Sequence, residues 1–271
     1  MPTLEVGGGT FAYTDTGGDN GEPVILLHAA GGNRRQWRGL TGRLAGRYRI
    51  IAPDLGGHGD TAPWPAGAPR LGDYGAVVNA LIDITGAERA HLVGHSHGGA
   101  IAAIHAVDDP ARVASVTLIE PMLTHLLGQA GEIAVWKEAH AKVTLHQEAV
   151  AAGRLEETAE AFIPYWTGRE AWDTMPADRK ATIVRSMPGI AVFWAAQLAE
   201  TAPLSAFAQM ARPALLMNGS ATPATAAAII RLLREAMPAA RSVEVPGAGH
   251  MVPLTHGDQV ADAIEVHLAA S

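Results

Sequence analysis

The sequence Gly94-His95-Ser96-His97-Gly98 is the most informative stretch of the chain. An apolar run at residues 90–93 precedes it, and a run of small, helix-compatible residues follows at 98–103. This succession predicts a β-strand, a sharp turn and an α-helix. We expect Ser96 at the tip of the turn, in a strained backbone conformation that projects its hydroxyl away from the sheet.

The two flanking glycines fit such a turn, because a Cβ at position 94 or 98 would collide with the neighbouring strand or helix. The free N–H groups at the start of the following helix would favour negative charge that develops near Ser96. We therefore interpret Ser96 as a candidate nucleophile. The alternative is an ordinary glycine-rich connection, because G-x-S-x-G without its flanking elements is a weak signal.

Composition disfavours several classes of protein. The chain has 271 residues, of which 48 % are hydrophobic and 17 % are charged, as expected for a well-packed globular protein. Its net charge of −7 disfavours nucleic acid as a partner. The absence of cysteine excludes disulfides and thiol catalysis. Because no signal peptide is visible and no apolar stretch approaches the ~20 residues that span a bilayer, we expect a cytoplasmic protein without membrane contact.

Short apolar runs alternate with helical patterns along most of the chain. We expect a hairpin at residues 4–16 and buried strands at 23–28, 48–53, 90–93, 113–119, 214–217 and 242–245. The clearest helical patterns lie at 73–85, 98–107, 225–237 and 259–269. This alternation predicts an α/β fold, with a mostly parallel sheet that helices cover on both faces.

Residues 122–206 interrupt the alternation. They contain helical patterns separated by prolines and no convincing strand, and they hold four of the six tryptophans. We interpret this segment as a helical insertion between two strands of the sheet. Most of its aromatic residues are expected to pack the insertion's own small core, and a few are expected to line an apolar pocket above Ser96.

Five segments occur in the order that is typical of the α/β-hydrolase superfamily, and the chain resembles that family over essentially its whole length. They are the turn at 28–32, the D-x-x-G-x-G segment at 54–60, the G-x-S-x-G motif, the insertion at 122–206 and the glycine-flanked His250. The resemblance implies an α/β-hydrolase core of residues 1–121 and 207–271, and a helical cap of residues 122–206.

His250 is the candidate base, because a serine hydroxyl becomes a good nucleophile only when a base accepts its proton. It ends the stretch 247–250, where the family carries its catalytic histidine. Five other histidines are expected on helix or strand surfaces: His91, His105, His140, His146 and His267. His95 and His97 lie two residues apart with no third ligand nearby in the sequence, so we expect neither a metal nor a cofactor.

Acyl transfer also needs two N–H donors that stabilise the oxyanion. The resemblance assigns one donor to His97, the residue after Ser96, and the other to the turn after His28, where Ala30 is expected. Ala29 stands where the family commonly has glycine. The residues expected to line the substrate pocket are His28, Ala29, Trp136, Trp166, Trp194 and Met251.

The acid of the triad is expected at a less usual position. Most of the family carries an aspartate after the strand at 214–217, but Thr222 stands there, and no Asp or Glu occurs between residues 210 and 234. The family's alternative is an acid at the end of the strand that follows the motif's helix, and Glu120 occupies that place. We predict the triad Ser96–Glu120–His250 and expect loss of the Thr222 hydroxyl to matter little. The alternative is that Glu120 is a loop carboxylate that caps a turn.

A serine nucleophile in this family predicts hydrolysis of an apolar ester or lactone through an acyl-enzyme. The Ser–Glu–His order and residues 219–223 look similar to those of fungal zearalenone lactonases. Carbon–carbon bond hydrolysis and cofactor-free perhydrolysis use the same triad and stay open. We favour less a hydroxynitrile lyase, for which Lys137 is the nearest candidate cation, and a non-catalytic receptor of the same fold. The sequence does not indicate an oligomeric state.

Overall fold

The computed structural model describes residues 1–18, 22–64 and 69–271. Within these ranges eight strands form one sheet in the order β1-β2-β4-β3-β5-β6-β7-β8. The strands are β1 (Thr3–Val6), β2 (Gly9–Asp15), β3 (Val24–Leu27), β4 (Ile50–Pro53), β5 (Ala90–His95), β6 (Val113–Ile119), β7 (Ala214–Gly219) and β8 (Arg241–Val245). The pairs β1·β2 and β2·β4 are antiparallel, and the remaining pairs are parallel.

Helices connect the strands on both sides of the sheet. Those outside the β6–β7 connection are α1 (Arg38–Leu44), α2 (Tyr74–Asp83), α3 (His97–Asp108), α10 (Ala224–Ala236), α11 (Val252–Thr255) and α12 (Gly257–Ala269), with short 3₁₀ helices at Arg34–Trp37 and Pro110–Arg112. Between β6 and β7 lie α4 (His125–Gln129), α5 (Ile133–Ala151), α6 (Leu155–Thr167), α7 (Arg169–Asp173), α8 (Ala177–Leu198) and α9 (Leu204–Ala208), which we call the inserted helices.

The continuous apolar runs of the sequence are strands buried on both faces. In β3, Ile25 and Leu27 belong to the hydrophobic cluster that contains residues of α2 and α3. The alternate residues Val24 and Leu26 belong to the cluster on the other face, which contains residues of α1 and α12. Successive side chains of a strand point to opposite faces, so every position must be apolar when helices cover both. The predicted α/β fold is thereby confirmed.

The inserted helices pack on the core through apolar side chains, and Met187 and Phe193 of α8 join the cluster that contains α3. The prolines do not simply separate helices as the sequence pattern indicates. Pro164 and Pro188 lie inside α6 and α8, whereas Pro176 and Pro203 precede α8 and α9. In the part of the chain that the structure describes, no helix combines the length and apolarity needed to cross a membrane.

A buried carboxylate joins the loop after β3 to the loop after β4. Asp54 is fully buried, and its Oδ1 and Oδ2 accept hydrogen bonds from the backbone N–H groups of Arg34 (2.7 Å) and Asp60 (2.8 Å). The Arg34 guanidinium also pairs with Asp54. Gly59 has a φ of +54°, and a Cβ there would collide with the Asp54 carboxylate. The D-x-x-G-x-G segment therefore has a structural role, because it positions the chain on either side of the turn after β3.

Four of the histidines expected on the surface are buried, and that expectation is wrong for them. His91, His105, His146 and His267 are 4 %, 3 %, 6 % and 5 % exposed. The His91 Nδ1 pairs with the Ser115 hydroxyl (2.8 Å), and the His146 Nε2–H donates to the Met187 carbonyl (3.2 Å). These partners lie 24 and 41 residues away in the chain, so local sequence patterns do not reveal them.

The buried histidines predict that the protein loses stability as the pH falls. Burial is the main cause that lowers their pKa, to about 4 for His28 and His267 and to about 3 for His58 and His95. The unfolded chain titrates histidine near 6.5 and so binds more protons than the folded state below that pH.

A histidine that stays neutral in the fold removes about 2 kcal/mol of unfolding free energy between pH 6.5 and 5. We therefore expect the Tm to fall by several degrees over this interval, with stability fully present above pH 6.5. Thermal unfolding followed by circular dichroism at half-unit pH steps is the measurement. An unchanged Tm between pH 7 and 5 would show that these histidines are not held neutral.

Candidate active site

Ser96 lies at the tip of the turn between β5 and α3, as its motif predicts. Its backbone has a φ of 55° and a ψ of −114°, a conformation that non-glycine residues rarely adopt. Neighbouring backbone fills the space where the two flanking glycines would carry a Cβ: that of Gly98 beside Gly94, and that of Leu27 and His28 beside Gly98. The close approach of β3, β5 and α3 therefore requires glycine at both positions.

The structure brings Ser96, His250 and Glu120 together in one hydrogen-bonded series. The His250 Nε2 lies 3.0 Å from the Ser96 Oγ, and the His250 Nδ1 lies 2.5 Å from Glu120 Oε2. A carboxylate only accepts hydrogen bonds, so Nδ1 carries the proton and Nε2 accepts from the serine hydroxyl. All three side chains are buried, with Ser96 only 6 % exposed.

The Glu120 carboxylate is held by three donors. Besides His250, the Gly219 N–H donates to Oε1 (2.8 Å) and the Thr222 hydroxyl donates to Oε2. Burial alone would raise the pKa of Glu120, but these hydrogen bonds and the proximity of His250 outweigh it and hold the pKa below its ordinary value. Glu120 is therefore ionised at neutral pH. Its backbone φ of +44° turns the chain sharply at the end of β6.

The contact with Thr222 corrects one expectation from the sequence. Thr222 stands at the position where the family usually carries its aspartate, and we expected loss of its hydroxyl to matter little. Instead, the hydroxyl donates directly to the Glu120 carboxylate from 102 residues away in the chain. Adjacent parallel strands end at the same edge of the sheet, so the residue after β7 reaches the carboxylate after β6.

The turn at residues 29–32 presents one free N–H beside the motif. The N–H groups of Ala29, Gly31 and Gly32 donate to Gln36 Oε1 (3.2 Å), His58 Nε2 (3.0 Å) and the Ala29 carbonyl (3.0 Å). Of the four, only the Ala30 N–H has no acceptor among the described residues.

The first turn of α3 lies against this same turn, because the Gly98 N–H donates to the His28 carbonyl (3.2 Å). His97 begins α3, so its N–H has no acceptor in a preceding helical turn. The two N–H groups expected from the sequence therefore belong to adjacent backbone segments. This arrangement can receive an oxygen that becomes negatively charged beside Ser96.

His28 supports the turn and does not line the cavity, which corrects its place among the expected pocket residues. It is fully buried, and its Nε2 accepts from the Leu55 N–H (2.9 Å) while its Nδ1–H donates to the Ala29 carbonyl (2.7 Å). Burial is the main cause that lowers the pKa of His28 to about 4, and the imidazole is therefore neutral.

A cavity of about 360 Å³ lies above Ser96 and His250. It is lined by the expected residues Ala29, Trp166, Trp194 and Met251, by Ala30, and by further apolar side chains: Met122, Phe162, Ile163, Ile183, Ile190 and Phe193. The Trp166 ring lies 4.3 Å from the His250 ring, measured between centroids. The inserted helices therefore supply most of an apolar wall over the candidate nucleophile.

Trp136 lies elsewhere, so its assignment to the substrate pocket is wrong. Its ring packs against His140, with 4.3 Å between centroids, and occupies the space that a side chain at Gly128 would need. The helical periodicity of α5 did not indicate which face of the helix meets α4. Trp136 lines a separate, shallow depression between α4, α5 and the end of α8.

Several polar residues of the cavity were not expected from the sequence. Gln36 and Gln197 line it, together with the exposed side chains of Arg35 and Arg179. Lys137, the cation considered from the sequence, is exposed and does not line the cavity. None of these positions belongs to a recognisable motif, so only the tertiary structure identifies them.

A second cavity of about 330 Å³ lies between the inserted helices α5 and α6. Phe162, Trp166 and Trp194 contribute to its wall and also to that of the cavity above Ser96. Three aromatic side chains thus separate the two spaces.

The comparisons with known proteins agree with this architecture. Residues 22–257 match the family model for the alpha/beta hydrolase fold. The chain therefore belongs to the α/β-hydrolase family. Among solved structures, the enol-lactonase from Burkholderia xenovorans superposes with a TM-score of 0.82 and 21 % identity, over 99 % of this chain and 100 % of that one. At this identity the likeness shows the shared fold.

Two curated relatives show how the similarity is distributed. A dihydrolipoyllysine-residue acetyltransferase component of the acetoin cleaving system of Cupriavidus necator is 42 % identical over 118 residues, which are 44 % of this chain and 31 % of the relative. The match thus spans about a third of that relative's length. The pimeloyl-[acyl-carrier protein] methyl ester esterase of Aeromonas hydrophila is 27 % identical over 90 % of this chain and 94 % of its own length.

Replacement of Glu120 tests the hydrogen-bonded series. Glu120→Gln removes the charge and favours the wrong imidazole tautomer, so we expect turnover of an activated ester to slow by up to ~10⁴-fold. Thr222→Val removes one of three donors to the carboxylate and is expected to lower kcat/KM by about 10-fold, or ~1.4 kcal/mol.

Steady-state kinetics and the Tm of each variant are the measurements. Serine 220, whose hydroxyl accepts from the Gly247 N–H (2.8 Å), provides a neighbouring control in Ser220→Ala. Wild-type turnover in Glu120→Gln would show that the carboxylate does not support His250.

Proposed function

We propose that this chain is a serine hydrolase that cleaves carboxylic esters or lactones through an acyl-enzyme. The observation that carries the proposal is the series Ser96–His250–Glu120, with Ser96 in a strained turn at the floor of an apolar cavity. A buried serine, imidazole and carboxylate at these distances are the groups that nucleophilic acyl transfer requires. The full-length similarity to an esterase supports the same class of reaction.

In the proposed reaction the Ser96 Oγ attacks the substrate carbonyl carbon while His250 Nε2 takes the hydroxyl proton. The oxyanion that forms accepts hydrogen bonds from the N–H groups of His97 and Ala30. The imidazolium gives its proton to the leaving alkoxide, which breaks the acyl–oxygen bond. Water then attacks the acyl-enzyme with His250 again as base, and Ser96 is regenerated.

Glu120 stabilises the imidazolium through this cycle and fixes the ring. Its carboxylate is ionised and accepts the His250 Nδ1–H at 2.5 Å, so the positive charge forms beside a compensated negative charge. This arrangement leaves Nε2 directed at Ser96 in both steps. The proposed order of the triad along the chain is Ser, Glu, His.

We propose further that residues 122–206 act as a cap that selects the substrate. Phe162, Trp166 and Trp194 all come from the inserted helices and line the cavity above Ser96. Such a wall favours an apolar acyl or lactone group, because its burial releases water from apolar surface. The α/β core would then supply the chemistry, and the cap the specificity.

Replacement of the nucleophile tests the proposed reaction. We expect Ser96→Ala to lower kcat for an activated ester by ~10³-fold or more, because no hydroxyl remains to form the acyl-enzyme. Its Tm should stay near that of the wild type. Intact-protein mass spectrometry after exposure to a fluorophosphonate should detect one adduct on the wild type and none on the variant.

The matched control is Ser115→Ala, since Ser115 is a buried serine that also pairs with a histidine, at 2.8 Å. This variant should keep the adduct and the activity. If Ser96→Ala retained more than a few per cent of wild-type kcat, Ser96 would not be the nucleophile.

The apolar cavity predicts the preferred acyl group. Medium-length apolar p-nitrophenyl esters should have a higher kcat/KM than the acetate or a charged succinate ester, because ~0.8 kcal/mol is gained for each buried methylene. Ile163→Trp, which narrows the cavity above Ser96, should shift the optimum to shorter chains.

The exposed Leu145, which lines the second cavity, offers the control Leu145→Trp, and its profile should match that of the wild type. A preference for charged or very small polar esters would contradict the proposed role of the cap.

A further inference from the structure

His95, the residue before Ser96, contacts the backbone of His250. It is the last residue of β5 and is fully buried. Its Nε2 lies 2.9 Å from the His250 carbonyl oxygen. His250 itself lies in the connection between β8 and α11, where sheet pairing does not hold the chain. The His95 contact therefore anchors a catalytic loop directly to the strand that carries the nucleophile.

The other nitrogen of His95 continues the contact toward the turn at residues 29–32. The amide Nε2 of Gln36 lies 3.2 Å from the His95 Nδ1, and the amide oxygen of Gln36 accepts from the Ala29 N–H at 3.2 Å. Gln36 thus bridges the imidazole and the turn that presents the Ala30 N–H. One buried histidine and one glutamine connect two parts of the proposed machinery that are 221 residues apart (250 − 29) in the chain.

The direction of every hydrogen bond in this connection follows from its two ends. The His250 carbonyl only accepts, so the His95 Nε2 carries the hydrogen and Nδ1 is the acceptor. Gln36 must then present its NH₂ to Nδ1, which leaves its oxygen for the Ala29 N–H. Donation runs without conflict from Ala29 through Gln36 and His95 to His250. Burial is the main cause that lowers the pKa of His95 to about 3, so the neutral ring that this order needs is the stable form.

We propose that His95 and Gln36 are positioning residues that hold the His250 backbone and the Ala29–Ala30 turn at a fixed separation around Ser96. The inference rests on the proposed hydrolase function, since it concerns the base and an oxyanion donor of that reaction. Neither side chain is assigned a bond to substrate. Their effect arises because a shift of about 1 Å in a reacting group can cost 10²-fold in rate.

Two substitutions of His95 separate positioning from simple filling of space. Glutamine retains an N–H near the place of the imidazole Nε2, whereas methionine has a similar length and no donor. We expect His95→Met to lower kcat by 10- to 100-fold with KM changed less than about threefold, because the base is displaced while the apolar cavity is intact. His95→Gln should recover most of the lost kcat. Equal losses in the two variants that follow their Tm values would overturn the proposal.

A double-mutant cycle tests whether the two residues act as one connection. Gln36→Met removes both of its hydrogen bonds and should also lower kcat by at least 10-fold. If the pair acts in series, adding His95→Met to Gln36→Met should cost less than threefold more. Fully multiplicative losses would show that Gln36 and His95 act independently and would contradict the proposal. The exposed Gln129, on α4, provides the control Gln129→Met, which should retain wild-type kcat.

The rate of Ser96 labelling by a fluorophosphonate keeps this test separate from that of the proposed function. Labelling depends on His250 and the oxyanion donors and needs no knowledge of the substrate. A wild type that neither labels nor hydrolyses any ester would overturn the proposed function. A wild type that labels while His95→Met and Gln36→Met label at the same rate would overturn the positioning role alone.

Discussion

The buried negative charge of Glu120 is the interaction on which the site depends. A carboxylate without water is costly unless hydrogen bonds replace its hydration. Here the replacements come from three places: the His250 imidazole, the Gly219 N–H at the end of β7 and the Thr222 hydroxyl beyond it. The charge therefore ties the ends of β6 and β7 to the loop that carries His250. The same contacts determine which nitrogen of the imidazole faces Ser96.

The remaining histidines around Ser96 are used in the opposite way. His28, His58 and His95 are buried without a carboxylate partner, and burial lowers the pKa of each well below 6.5. As neutral rings they accept one N–H and donate the other nitrogen's hydrogen to a backbone carbonyl. His58, for example, accepts from Gly31 (3.0 Å) and lies 3.1 Å from the Gly56 carbonyl through Nδ1. Imidazole suits such junctions because it offers one donor and one acceptor on a rigid ring.

The sequence predicts those features that local constraints determine. The strands were predictable because both faces are buried, and the turn at Ser96 because Gly94 and Gly98 exclude a Cβ. The position of Glu120 followed from the lack of an acid near Thr222. The structure places it within hydrogen-bond distance of His250, as the predicted triad requires.

The errors concern contacts between residues that are distant in sequence. The burial of His91 depends on Ser115 in the adjacent strand, and the contribution of Thr222 depends on the register of β6 beside β7. The face of α5 that carries Trp136 depends on where α4 leaves space at Gly128. Gln36 has no motif at all, because its role arises only when β5 and the loop after β8 lie beside it. Periodicity and composition contain no information about such pairings.

The inserted helices are not independent of this polar framework. The Phe193 ring of α8 stacks on His97, with 3.6 Å between centroids, and Trp166 of α6 lies against His250. Gln197, also on α8, lies 3.1 Å from the His97 Nδ1 through its amide nitrogen. A change in how α6 or α8 packs would therefore displace the rings next to Ser96. If these helices select the substrate, as proposed, then a substrate that repacks them also acts on His250 and on the first turn of α3. Selectivity and rate would in that case be coupled through the same aromatic contacts.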